Sequence, residues 1–335
     1  MALEPRFTIT PLLLSEVEQV AVLRERIQSA VVDLPWIPAL QKDTRSRNVH
    51  ASTAIEGNPL TLDQVRALEE GRTLSGASAR HEREVLNYFA GLRYVEKNAA
   101  KRNIRHADVL KLHRILAGQV MDQGEAGQYR TIPVRVGTYR PPAASAVSGL
   151  MLELLEWWNT TSQEHSPVLS SAILHYHFEA IHPFADGNGR TGRALALWEL
   201  YRRGFDTHHI FSVDEYYWED RPAYYAALEA VRRAGEDLST WLEYCAAGLR
   251  QTLERAWLRI QTFPLPSAEK LVLRPRQEQL LHLLRDHGSM APGEIWQALG
   301  VSRQGAMDLL RPLLDAGLVE KVGGKKLGRY GLRKR

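Results

Sequence analysis

From His182 to Arg193 the chain reads His-Pro-Phe-Ala-Asp-Gly-Asn-Gly-Arg-Thr-Gly-Arg, and these residue types together can handle a phosphate. Gly187, Asn188 and Gly189 tolerate positive φ, so their N–H groups can converge on an anion at a helix N-terminus. Arg190 and Arg193 stand three apart, a spacing that turns both planar forks toward one anion. Asp186 adds the carboxylate that a Mg²⁺ bridging two phosphates requires. His182 is the one side chain of the stretch able to accept a proton at neutral pH.

Two helices must position this loop. Apolar spacing predicts one over residues 171–181 and another from Ala194 that ends near Gly204. The segment Gly187 to Gly192 also fits the dinucleotide pattern Gly-x-Gly-x-x-Gly, with Asp206 downstream, but that reading needs a preceding strand and the chain offers a helix. His175, His177 and His182 are weak metal candidates, because a spacing of two points side chains apart on a helix; the first two read as scaffold. His208 and His209 read as loop surface, Trp157 and Trp158 as helix packing, and Cys245 as a core thiol. Most of residues 10–260 reads as helix. The exception is 132–142, whose β-branched residues, Gly137 and prolines predict a short edge hairpin.

With its motif set out, the loop closely resembles that of the Fic family, matching His-Pro-Phe, the acidic residue, Gly-Asn-Gly-Arg and the second arginine. The resemblance covers roughly residues 40–245. It implies a transfer of AMP from ATP to a Ser, Thr or Tyr hydroxyl of a protein, the chain itself included, with His182 as base and Asp186 as Mg²⁺ ligand. Gly187, Asn188 and Gly189 would cradle the α- and β-phosphates. Arg190 and Arg193 would take the distal ones, and Thr191 and Gly192 would complete the nucleotide stretch. By the same resemblance Asn188 and Arg190 count with His182 as catalytic. Ser52 to Glu56 looks like the family's inhibitory motif, on a helix over about 44–57, with Glu56 opposing Arg193. The 132–142 hairpin resembles the flap that holds a target segment by strand pairing, and Tyr225, beside Tyr224, is the expected adenine contact.

Apolar residues make up 44% and charged residues 24% of the 335, which suits a globular protein of more than one domain. No apolar run approaches the roughly 18 to 20 residues that span a bilayer, and the start lacks a signal pattern, so a cytoplasmic protein without membrane contact is expected. The net charge is +4, yet residues 271–335 hold 12 Lys or Arg against 6 Asp or Glu, that is +6. Such a basic tail suggests nucleic acid as a partner. Phe263-Pro-Leu-Pro marks a boundary. The expected organisation is an N-terminal helical region (1–100), a Fic core (101–262), a linker (263–270) and a winged helix (271–335).

In the winged helix, helices are expected near 276–286, over Pro292 to Leu299 and from Ser302 to about Ala316, before a ribbon turning at Gly323 and Gly324. Ser302, Arg303 and Gln304 would face DNA bases, and Lys321, Lys325, Lys326 and Arg329 its phosphates. The expected fold class is mainly α: an all-helical core with a hairpin flap, plus a winged helix-turn-helix. A homodimer is an open expectation. Two other readings stand beside the transferase: a DNA-binding regulator whose core senses nucleotide, and an enzyme that removes AMP.

Overall fold

Apolar residues three and four apart fold into helices along nearly all of the first 262 residues. In the computed structural model these are α1 (Pro11–Ala30), α2 (Ile37–Ile55), α3 (Leu62–Glu69), α4 (Ala79–Asn98), α5 (His106–Ala117), α6 (Val147–Asn159), α7 (Pro167–Ile181), α8 (Asn188–Arg202), α9 (Val213–Glu219), α10 (Arg221–Arg233) and α11 (Ser239–Thr262). The structure describes residues 3–30, 37–205, 209–262, 275–315, 318–322 and 328–333. Asp206, His208 and the expected linker 263–270 lie outside them. Contacts divide the chain into two units, residues 1–262 and 263–335. The regions 1–100 and 101–262 are thus one body, because α1 lies along α11 and α2 lies against α8 and α9.

Helices α7 and α8 form the centre of the first unit. Ser166 caps α7 by accepting from the Val168 N–H at 3.3 Å, and Pro167 occupies its first turn. Val168, Ile173, Leu174, Tyr176 and Phe178 are all buried, since α6, α8 and α11 surround the helix. Trp157, Trp158 and Cys245 are core residues, and the His209 ring rests 4.1 Å from that of Tyr201. No strand precedes the glycine-rich loop, so the dinucleotide reading falls.

The 132–142 segment is narrower than a ribbon. Its one bridge joins Val136 and Tyr139, which exchange backbone hydrogen bonds of 3.0 and 2.9 Å around Gly137 at φ 57°. Pro133, Pro141 and Pro142 lack the N–H groups that further rungs would need.

In the second unit, α12 (Pro275–His287), α13 (Pro292–Leu299) and α14 (Arg303–Asp315) pack with β1 (Ser289–Met290), β2 (Val319–Val322) and β3 (Arg329–Leu332). The sheet order is β1-β3-β2, antiparallel, with Val319 opposite Leu332 and Val322 opposite Arg329. Leu280, Leu284, Ile295, Leu310 and Leu313 form the core of this unit. Sequence periodicity missed β1, which is two residues long and exists only through its pairing with Tyr330 and Gly331. Ala316, Gly323, Gly324, Lys325 and Lys326 lie outside the described residues. No described helix is long and apolar enough to cross a membrane.

One buried polar cluster ties α6 and α7 to α8. The fully buried Glu199 accepts from Trp158 Nε1 at 2.6 Å, Ser170 Oγ at 2.7 Å and Arg202 Nε at 3.0 Å. Removing it takes the counter-charge from a guanidinium that is only 5% exposed and would keep only neutral acceptors such as Trp158 O. Glu199→Ala should therefore lower the unfolding free energy by about 3–5 kcal/mol in urea titration; a loss under about 1 kcal/mol, the range of exposed pairs, would mean that water reaches Arg202.

Candidate active site

The loop between α7 and α8 is held in a strained shape. His182 ends α7 in the left-handed region, φ 49°, with its N–H donating to Phe178 O at 2.8 Å. A non-glycine residue adopts this conformation only when its surroundings enforce it. Gly187, φ 76°, opens α8. Between them the Asn188 amide brackets Phe184, donating to its carbonyl at 2.8 Å and accepting its N–H at 2.9 Å. Thr191 Oγ1 donates to Gly187 O at 2.8 Å. Asn188 and Thr191 are thus braces of the loop.

His113 and Arg130, neither singled out in the sequence, hold the loop from outside. His113 Nδ1 accepts the Gly127 N–H at 2.9 Å, so its hydrogen is on Nε2, which donates to Asp186 O at 2.9 Å. Its ring stacks on Phe184 at 3.6 Å. Arg130 donates to His182 O at 2.8 Å, to Ile132 O at 3.2 Å and to Pro142 O at 2.6 Å. One buried guanidinium thereby joins both ends of the flap to the carbonyl of His182. Tyr139 Oη pins the flap's turn to Ala180 O at 2.8 Å.

A cleft of about 710 Å³ opens over this loop, lined by His182, Asp186, the 187–189 backbone, Arg193, Glu56 and Tyr225 among others. Asp186 accepts the Gly187 N–H at 2.5 Å and its carboxylate stays 31% exposed. Such a single carboxylate beside an anion nest suits Mg²⁺, whose shell phosphates and water complete. Among the described residues no cluster of three or more His, Cys, Asp or Glu could enclose a metal by itself. Arg190 lies behind the loop, 3.5 Å from Asp186 and 3.7 Å from Glu84, with Nε and Nη1 unbonded. Gly192 is also behind it, under Glu179. Tyr224 and Tyr225 both line the cleft; Tyr224 is buried with its hydroxyl 3.0 Å from His175 Nε2, and Tyr225 is 40% exposed.

Arg193 is the most elaborately held residue of the site. Its Nε donates to Ser52 Oγ, and Nη2 to Ser52 O and Glu56 Oε1, each at 2.9 Å. Asp214 lies 3.6 Å from Nε, and Tyr88 Oη donates to that carboxylate at 3.1 Å. Burial opposes the charge on Arg193, yet Glu56 first, and then Tyr224 and Asp214, hold its pKa well above the ordinary value. Glu56 also presses on the start of α8: a Cβ at Gly189 would stand 2.3 Å from Glu56 Oε1. A carboxylate therefore occupies the end of the helix dipole that attracts anions. Asp214, Tyr88 and Glu179 were not legible in the sequence. Each is an ordinary helix residue until packing brings it to Arg193 or His182.

An all-helical body that gathers a histidine, a carboxylate and a glycine-rich helix start on one cleft defines the class of the first unit. The chain carries a Fic domain: residues 103–200 match the Fic/DOC family. It is 34% identical over 221 residues to protein adenylyltransferase fic-1 of Caenorhabditis briggsae, covering 64% of this chain and 42% of the relative. To protein adenylyltransferase Fic of Drosophila virilis it is 30% identical over 274 residues, 79% and 53% of the two chains. The chain thus spans about half the length of these curated relatives. A Fic family protein from Desulfovibrio desulfuricans G20 superposes with a TM-score of 0.67 at 28% identity over 99% of both chains. Fic-1 from Caenorhabditis elegans gives 0.66 at 29%, over 75% and 74%.

Burial holds His113, His175 and His177 down to about 4. The three are neutral when folded but titrate near 6.5 when unfolded, so the unfolded chain binds more protons between these values. Their contribution is complete above pH 6.5 and is lost as pH falls toward 4. Urea midpoints should drop steadily from pH 7 to pH 5, and a flat profile would contradict these burials.

Proposed function

We propose that the chain is a protein adenylyltransferase that moves AMP from ATP to a Ser, Thr or Tyr hydroxyl of a protein, its own hydroxyls included. The carrying observation is the convergence of His182, Asp186, the 187–189 backbone and Arg193 on one cleft. The relatives named protein adenylyltransferase support it. In this reading the hydroxyl oxygen bonds to the α-phosphorus, the bond to the bridging oxygen breaks, and pyrophosphate departs. His182 takes the hydroxyl proton. The 187–189 N–H groups and the α8 dipole hold the α- and β-phosphates, Arg193 the γ-phosphate, and Tyr225 the adenine. Asp186 would hold Mg²⁺, which would neutralise phosphate charge as pyrophosphate leaves. Arg190 acts from behind the loop, bracing Asp186. The flap's unpaired backbone would hold a target segment in extended form, and a cytoplasmic setting supplies ATP and Mg²⁺.

Glu56 is the inhibitory residue in this reading. Its carboxylate bonds the arginine that the γ-phosphate would use. Incubation of wild type, Glu56→Gly and His182→Ala with ATP and Mg²⁺, followed by mass spectrometry, tests the whole proposal. Glu56→Gly should carry about 10-fold or more AMP, corresponding to the release of a single charged contact. His182→Ala should lose transfer by at least about 100-fold while still binding ATP. No label on any protein, even with Glu56→Gly, would favour the nucleotide-sensing regulator, and loss of AMP from a modified protein would favour the reverse reaction.

For residues 271–335 we propose a winged helix-turn-helix that binds DNA. Ser302, Arg303 and Gln304 are exposed at the start of α14, and Lys321 is exposed on β2. Arg329 is already engaged, with Glu294 at 2.8 Å and Ser289 O at 2.9 Å, which leaves Lys321 as the expected phosphate contact that is both described and free of an ion pair. Fluorescence titration of the full chain with duplex DNA should show affinity that falls as salt rises and weakens further in Arg303→Ala. Absence of binding at low salt would make the unit a protein-docking module.

A further inference from the structure

One buried carboxylate, that of Glu179, stands beside the proposed base. Glu179 lies one helical turn before His182 on α7 and is 8% exposed. Its Oε2 stands 3.5 Å from His182 Nδ1. Neither Glu179 Oε1 nor His182 Nδ1 has a hydrogen-bond partner, although buried polar atoms nearly always find one. The left-handed turn at His182 brings the ring back over the end of its own helix, against this carboxylate.

The neighbouring helix leaves room for it. A Cβ at Gly192 would stand 2.5 Å from Glu179 Oε1 and 3.1 Å from the Phe178 ring. Gly192 therefore admits the Glu179 carboxylate beneath α8 and makes no contact with the cleft. A carboxylate in so enclosed a place costs stability unless a charge answers it. The charged and titratable groups facing it are His175 and His182 on its own helix, Arg193 on α8 and the Tyr224 hydroxyl on α10. His175 is buried and neutral, and bonds Tyr224 Oη. Burial pushes the Glu179 pKa up, but His182 above all, with His175 and Arg193, holds it below the usual carboxylate range.

We propose that Glu179 is a positioning residue for His182. Its carboxylate accepts the Nδ1–H, which leaves the Nε2 lone pair free for the hydroxyl proton and shares the positive charge that arises when Nε2 takes it. No bond is made or broken at Glu179, and the proton stays on the imidazole. Which nitrogen of a histidine acts as base is set by the hydrogen bond at the other. The inference rests on the transferase reading for its kinetic consequence, but the tautomer is a property of the resting protein.

The first test is ¹⁵N NMR of the His182 ring near pH 8, with its signals assigned by their loss in His182→Gln. The Nδ1–H tautomer is expected. An Nε2–H ring in the wild type would overturn the proposal whatever the enzyme does. The second test is Glu179→Gln, which keeps the volume, made in the Glu56→Gly background and checked for an unchanged melting profile. AMP transfer should fall by about 100-fold or more in kcat, with KM for ATP little changed. The acid limb of the pH profile should move to lower pH, because loss of a nearby negative charge lowers the pKa of the imidazolium. A folded Glu179→Gln protein with unchanged kcat and an unmoved acid limb would also overturn it. If no AMP transfer occurs in any variant, the transferase reading fails by itself, and the NMR result still decides the role of Glu179.

Discussion

The site depends on a positive charge placed where water cannot reach it. Arg193 has a fully buried side chain, and a guanidinium in such a place is tolerated only when hydrogen bonds and negative groups surround it. Those groups come from far along the chain: Ser52 and Glu56 near the end of α2, and Asp214 at the start of α9 with Tyr88 of α4 behind it. Satisfying one arginine thus fixes α2, α4 and α9 around the start of α8. Arg193 Nη1 remains without a partner. That atom is itself buried, beside Gly189 at the start of α8.

A second constraint shapes the backbone of the loop. An anion nest works only if successive N–H groups converge, and glycine allows this geometry without enforcing it. Enforcement comes from Asn188 on Phe184, His113 on the Asp186 carbonyl, and Arg130 on the His182 carbonyl. Arg130 also bonds both ends of the flap. His182 and the 132–142 segment consequently share one anchor, so the surface that would receive a target segment is tied to the residue that would accept its proton.

The position of the loop between two helices was legible in the sequence because its pattern is local. Three backbone positions of special conformation, an acid, a histidine and two arginines within twelve residues need only a helix on each side to converge, and apolar periodicity supplied those helices. The contact between Glu56 and Arg193, 137 positions apart, was reached only through family resemblance, since no periodicity links residues at that distance. The polar sequence of α2 would otherwise pass for a solvated face, yet Ser46, Asn48, Ser52 and Thr53 are all buried.

What the sequence by itself determined is the helical class of the first unit, the residue types and spacing of the loop from His182 to Arg193, and the basic character of the tail. Tertiary structure alone decided which arginine faces the cleft, because Arg190 and Arg193 look equivalent by spacing and only packing against Glu84 and Ser52 separates them. It also decided that Tyr225 and not Tyr224 is exposed, that Gly192 makes room for Glu179, and that β1 exists. The physical reason is common to all four. Local pattern records how a residue sits on its own helix, whereas burial and pairing depend on elements that arrive from elsewhere in the chain.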